Sequence, residues 1–174
     1  MKFHAIDELW VQDDESDYYL ALLAALKAQG ICIPRGSSAT VDGFQSPNLL
    51  ALGHPGVNAR VEALRARVAA HLGLPCTVYW VHLVDYEVGG FQKPHDHAHN
   101  EDYSCILYLD SGSAGTTFHL NAKRQLKTTV AQERNKLCVF LSQLIHEGAV
   151  VETSKRVLVL GLRLADARRQ LATA

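Results

Sequence analysis

Three histidines fall within five residues in KPHDHAHNED: His95, His97 and His99, with Asp96 between the first two. In an extended strand, residues i and i+2 point to one face. His95 and His97 are therefore expected to present two imidazoles side by side, with Asp96 facing away. Imidazole nitrogens suit Fe(II), Zn, Cu and Ni. A metal site that does chemistry needs a further ligand and open positions for a reacting molecule. The candidate third ligand is His146 in SQLIHEGAVV, well downstream. Beyond it, at the start of the last apolar strand, stands Arg156. A buried arginine is costly unless it meets an anion, and its planar fork suits a bidentate carboxylate. Metal ligands and an anion clamp thus occur in one order: His-x-His, then His, then Arg.

These groups need elements that bring them together. The first third of the chain reads helical. Asp13 or Asp14 can cap a helix whose apolar residues Tyr18, Tyr19, Leu22, Leu23 and Leu26 recur at helical spacing, and Gly30 can end it. Residues 31–34 read as a short strand, and 35–54, rich in Ser, Gly, Pro and Asn, as a loop. A second helix is predicted from Pro55, with the stripe Val57, Val61, Leu64, Val68 and Leu72 and a stop at Gly73. After Pro75 the texture turns β-branched and aromatic. Strands are predicted at 76–88, 103–109, 115–120, 125–130, 136–141, 146–151 and 156–164, divided by turn residues. Helices followed by a series of short strands predict a mainly β, α+β domain with helices packed on one sandwich or barrel. The expected division is a single domain over 1–174. It has a helical lead-in at 1–75, a β core at 76–164 and a tail at 165–174 that frays or ends as a short helix.

Composition narrows the function classes. Of the 174 residues 48% are hydrophobic and 20% charged, which suits a folded chain rather than a disordered one. Lys+Arg 17 against Asp+Glu 18 leaves no basic excess for a phosphate backbone, so nucleic acid is not expected as a partner. No apolar run approaches the ~20 residues that span a bilayer, and MKFHAIDELW lacks a signal pattern. Cys32, Cys76, Cys105 and Cys138 are far apart and form no CxxC pair, as in a reducing compartment. The expectation is a cytoplasmic protein with no membrane contact. The edge strand of such a sandwich can pair with a second copy to form a homodimer.

The segment YEVGGFQKPHDH resembles the Y…GGFFKPHxD stretch of the Fe(II)/2-oxoglutarate-dependent oxygenases, above all their prolyl-hydroxylase-like branch. CILYLDSGSAGTTF is similar to that branch's YLN…GGxTxF strand pair, and HEGAVVETSKRVLVLGLRL to its distal HEG…V…R segment. The stretch 43–73 resembles the helical lead-in of a related group that also tends to carry His-x-His. The resemblance spans roughly residues 43–164. It implies a double-stranded β-helix (a jelly roll, cupin-like) with iron at its open end. His95, His97 and His146 would ligate Fe(II). Arg156 would pair with the distal carboxylate of 2-oxoglutarate, helped by the hydroxyl of Tyr108, with Tyr86 and Thr117 lining the same pocket. The implied reaction is hydroxylation of an unactivated C–H bond in an amino-acid, peptidyl or small-metabolite substrate. Position 97 departs from the family's usual aspartate, and Asn135 stands where the family often has glycine.

Two other readings of the same residues stay open. Gly89, His95, His97 and Glu101 match the G-x5-H-x-H-x3-E core of the cupin first motif. Glu101 would then be a fourth ligand beside His146, with no role for 2-oxoglutarate, although Tyr108 stands where that motif has glycine. Alternatively the β-helix is a non-catalytic interaction domain that carries no iron. Each residue also has an ordinary structural role to weigh: solvated loop histidines, an edge ion pair of Arg156 with Glu147 or Glu152, and a core aromatic at Tyr108. His99 and His119 are candidates for the substrate mouth.

Overall fold

The computed structural model describes residues 5–35, 39–121 and 123–165. The expected tail beyond 165 lies outside them. Chain order is β1 (Ile6–Trp10), α1 (Asp13–Ala28), β2 (Ile33–Arg35), β3 (Thr40–Gln45), a 3₁₀ turn at Leu49–Leu52, α2 (Pro55–Leu72), β4 (Cys76–His95), β5 (Tyr103–Tyr108), β6 (Thr116–His119), β7 (Lys127–Val130), β8 (Lys136–Leu141), β9 (His146–Gly148) and β10 (Lys155–Leu164). The ten strands run in the order β1-β8-β5-β10-β4-β9-β6-β7, with β3 on β4 and β2 on β3. Every pairing is antiparallel.

Strand β4 joins the two layers into one sheet. Its first half pairs with β10 and its last residues pair with β9, so it passes from one layer to the other. At the crossing β3 lies against it. A Cβ at Gly90 would stand 2.3 Å from the Asp42 carbonyl oxygen, so only glycine permits that approach. Side chains alternate between two cores. Leu107, Leu158 and Leu160 pack outward against Tyr19, Leu23, Val61, Leu64 and Val68 of the two helices. Tyr108, Val157 and Val84 point inward and meet Phe118, Phe140 and Val130 between the layers. Burial on both faces explains why β5 reads as an unbroken apolar run, with all six residues buried.

Several expectations are corrected here. The lead-in is not only helical, because β1 pairs with β8 and β3 with β4. IDELW interleaves charged and apolar residues too briefly to announce a strand. The segment 35–54 contains β3, whose signal is interrupted by a bulge at Asp42, a residue held at φ 50. The strand expected at 76–88 continues to His95, because β3 and β9 supply hydrogen-bond partners through Gly-Gly and Pro94. The N-cap of α1 is Gln12, and Asp13, Asp14 and Glu15 occupy its first turn, where they suit the helix dipole. Asn135 enters β8 with φ 69, the left-handed turn its side chain tolerates.

Candidate metal centre

The end of β4 and strand β9 face each other in register, with His95 opposite His146. Period-two alternation along β9 turns His146 and Gly148 inward and Glu147 outward. His146 is 2% exposed and lies against the rings of Phe140 and Phe118, at centroid distances of 4.8 and 6.0 Å. His97 arrives differently from the expectation. The strand ends at His95, and His97 is placed by its backbone N–H, which donates to the Ser142 carbonyl at 2.8 Å. Asp96 does face away, and its Oδ1 accepts the Ala98 N–H to close the turn. The three rings converge, with centroids 4.2 Å (His95–His146), 4.8 Å (His95–His97) and 5.3 Å (His97–His146) apart. One nitrogen of each lies within 4.8 Å of the others.

Each ring has an acceptor behind it. His95 Nδ1 is 2.8 Å from the Lys93 carbonyl and His146 Nδ1 is 3.0 Å from the Leu144 carbonyl. His97 Nδ1 is 3.5 Å from a Glu101 carboxylate oxygen. For His95 and His146 the acceptor at Nδ1 fixes the proton there and leaves Nε2 as the lone-pair donor. Burial keeps the rings neutral. It pulls His146 down to about 3 and His97 to about 4, each pushed further by the neighbouring His95, and it lowers His95 as well. Three neutral imidazoles with converging free nitrogens are the donor set a divalent transition metal requires, so the residues fit such an ion. The centre opens on a cavity of about 280 Å³, walled by Trp80, His82, Val84, Gln92 and Phe140.

Deeper along the inner face of β10, the inward positions pass from Val159 through Val157 to Lys155. This lysine is 3% exposed. Its ammonium donates to the Gly115 carbonyl at 3.2 Å and lies 5.5 and 5.9 Å from the ring centres of Tyr86 and Tyr108. Among the described residues no carboxylate lies within ion-pair distance of it, and burial lowers it to about 8. Gly148 leaves it room, since a Cβ there would stand 3.1 Å from Nζ. Tyr108 donates to Thr116 Oγ1 at 2.6 Å. Burial drives the Tyr86 hydroxyl up to about 12, and that of Tyr108 higher still, so both stay protonated donors. This buried ammonium lies over two tyrosine rings, and Asp110 attracts it only from beyond ion-pair distance.

Arg156 and Thr117, both predicted for the cofactor pocket, are turned away from Lys155 and Tyr108, each by one position. Arg156 lies on the opposite face of β10, where its Nε donates to Asp110 at 2.8 Å. Lys155 holds the inward place. Thr117 points outward to Thr129, with their hydroxyls 2.9 Å apart, while Thr116 points in. His119 is buried too, but it lies 3.1 Å from Glu147 and does not join the ring cluster. His99 is exposed in the turn after His97 and does not join the ring cluster. Glu101 is not in the group whose ligand atoms converge; its carboxylate lies 3.5 Å from His97 Nδ1. Sequence reasoning passed over Lys155, Thr116, Trp80 and Gln92. Only Lys155 carried a signal, as the other cation in the KR pair that opens β10.

No family model matches this sequence, and no curated protein matches it. Solved structures do. A prolyl-4-hydroxylase from Pseudomonas putida superposes with a TM-score of 0.71 at 18% identity, covering 92% of each chain. SnoK, the non-heme alpha ketoglutarate dependent carbocyclase of nogalamycin biosynthesis, gives 0.76 at 10% identity over 98% of this chain and 86% of its own. The fold is the jelly roll of these enzymes. HygX from Streptomyces hygroscopicus, solved with nickel and 2-oxoglutarate bound, gives 0.69 at 10% identity over 91% of this chain and 82% of its own. In this jelly roll His95 ends β4, His97 follows it and His146 lies on β9, and all three line the cavity. No helix among the described residues is long and apolar enough to cross a membrane.

Proposed function

We propose that this protein is an Fe(II)- and 2-oxoglutarate-dependent oxygenase that hydroxylates an unactivated C–H bond. The observation that carries the reading is one pairing inside the jelly roll. Three tied-back imidazoles converge at the cavity, and a buried ammonium without a carboxylate partner waits on the inner face of β10. A 2-oxo dicarboxylate matches both ends: its keto acid end suits a metal with open positions, and its far carboxylate suits Lys155. Structures that share the fold act through alpha ketoglutarate or hold 2-oxoglutarate with a metal.

His95, His97 and His146 would hold the iron through Nε2. An iron held there would, with 2-oxoglutarate and oxygen, supply the oxidising chemistry of C–H hydroxylation. The remaining work falls to the protein's own groups. Lys155 pairs with the distal carboxylate, and its depressed affinity for the proton recovers when that charge arrives. The Tyr86 and Tyr108 rings lie under the same ammonium, and Tyr108 is fixed there by the hydrogen bond it donates to Thr116. Phe118 and Phe140 exclude water from the inner side of His146. Trp80 and His82 wall the cavity on the substrate side. The fold's solved members range from a prolyl-4-hydroxylase to a carbocyclase of antibiotic biosynthesis, so the substrate class proposed is an amino-acid, peptidyl or small-metabolite C–H bond. Four free, buried cysteines suit the reducing cytoplasm.

Titration calorimetry with Ni(II), a redox-silent substitute, tests the reading. One Ni(II) per chain, followed by one 2-oxoglutarate that binds far more weakly without metal, is expected. His146→Ala is expected to abolish the first step. Metal binding with no keto acid binding would overturn the 2-oxoglutarate assignment, and no metal binding would overturn the centre itself.

A further inference from the structure

Glu101 is buried, with a side chain that is 0% exposed, and it stands directly behind His97. Its Oε2 accepts the Trp80 indole N–H at 2.8 Å and its Oε1 accepts the Ser104 hydroxyl at 3.1 Å. The same Oε1 lies 3.5 Å from His97 Nδ1. Among the described residues no lysine or arginine comes within 4 Å of the carboxylate. The Ser104 hydroxyl is 2.9 Å from that of Ser142, whose carbonyl accepts the His97 backbone N–H at 2.8 Å. The backbone and the ring of His97 therefore belong to one network. Gly161, on the inner face of β10, makes space for it. A Cβ there would lie 2.5 Å from the Trp80 indole nitrogen and 2.9 Å from the Glu101 carboxyl carbon.

A glutamine would satisfy Trp80 and Ser104 equally well through its amide oxygen. What the carboxylate adds is a charge: burial works against it, the Trp80 and Ser104 hydrogen bonds and the Arg163 charge favour it, and the His97 ring lies against it with Nδ1 3.5 Å away. A ligand imidazole that donates its second N–H to a carboxylate is fixed in orientation and becomes a more basic donor. We propose that Glu101 is a positioning residue for the metal centre. It takes the Nδ1–H of His97, aims Nε2 at the metal, and places just behind the ligand the negative charge that an aspartate at position 97 would have supplied directly. The centre is then three-histidine in its ligands while its local charge approaches that of a two-histidine, one-carboxylate site. The inference rests on the metal centre proposed above and is independent of the keto acid.

The test uses metal alone. Fe(II) affinity is measured anaerobically by chelator competition, and the midpoint potential of the bound iron by redox titration, for the wild type, Glu101→Gln and Ser104→Ala. Glu101→Gln is expected to bind Fe(II) about 10–100-fold more weakly and to hold it at a more positive potential. Ser104→Ala, which keeps the charge, should stay within a few-fold of the wild type. Nitrogen NMR of the Zn(II)-loaded wild type provides a readout that needs no variant: His97 should carry its proton on Nδ1 with Nε2 on the metal. Unchanged affinity and potential in Glu101→Gln, or a His97 metallated through Nδ1, would overturn the role of Glu101 alone. A wild type that takes no divalent metal would instead overturn the centre on which it rests.

Discussion

Replacing Lys155 by methionine is expected to make the ligand-free protein more stable while depriving it of its keto acid. The side chain is 3% exposed and its proton affinity falls from 10.5 to about 8, chiefly through desolvation. At about 1.4 kcal/mol per tenfold, holding that proton in the folded state costs on the order of 3 kcal/mol at pH 7. The unfolded chain binds the proton more tightly between pH 8 and 10.5. Wild-type stability on this account therefore rises with pH across that window and carries the full penalty below it. Methionine fills a similar volume without charge. The Gly115 carbonyl keeps its bond from the Ala149 N–H, so no acceptor is orphaned. The variant should gain roughly 2–3 kcal/mol at pH 7, and the gain should shrink toward zero by about pH 10. In the metal-loaded protein, loss of one partner of a buried charge pair should weaken 2-oxoglutarate by about 100-fold or more. Urea unfolding of metal-free protein at pH 7 and pH 10, with calorimetry of the keto acid at pH 7, reads both effects. A variant that is less stable than the wild type at pH 7, or that binds 2-oxoglutarate equally well, would refute the argument that this ammonium awaits an anion.

Arg156→Ala should lower stability by no more than about 1 kcal/mol, because the pair it breaks is partly exposed and Asp110 keeps Gln132 and Ser154. Its affinity for 2-oxoglutarate in calorimetry should stay at the wild-type value. Thr116→Val strands the buried Tyr108 hydroxyl and should cost about 1–3 kcal/mol in denaturant unfolding. Thr117→Val, one position on and facing out, should stay within about 0.5 kcal/mol. Gly148→Ala sets a methyl 3.1 Å from Lys155 Nζ and from Gln92 Cβ, so it should weaken 2-oxoglutarate by roughly tenfold with at most a small loss of melting temperature. Binding of the keto acid to the metal-loaded wild type should itself weaken as pH rises above about 8, where Lys155 loses its proton.

The sequence revealed much of the scaffold through strong, repeated signals. The α2 stripe, Pro55 and Gly73 marked a helix that runs from Pro55 to Leu72. The apolar runs at 103–109 and 136–141 marked strands buried on both faces. The histidine set was legible because residue type alone selects metal ligands, and the chain needed only to bring His146 opposite His95. Parity was not legible. In TT and KR, neighbours of like chemistry point to opposite faces, and the register that decides between them comes from β9 and β4, far away in sequence. Glu101 was visible as a possible ligand by spacing. Its position behind His97 depends on the turn at 97–100 and on space left by Gly161, neither of which a spacing rule contains. Strands β1 and β3 were missed because short, charged or bulged segments become strands when a neighbouring edge recruits them.

The central claim is that the three histidines and Lys155 serve one metal and one keto acid. Its most direct test is an anaerobic titration of wild-type protein with Fe(II) and 2-oxoglutarate, followed in the visible for the weak charge-transfer band of the keto acid–iron chelate. The account predicts a band that saturates at one iron and one 2-oxoglutarate per chain and is lost in His146→Ala. Iron binding that never develops the band at saturating 2-oxoglutarate would contradict it.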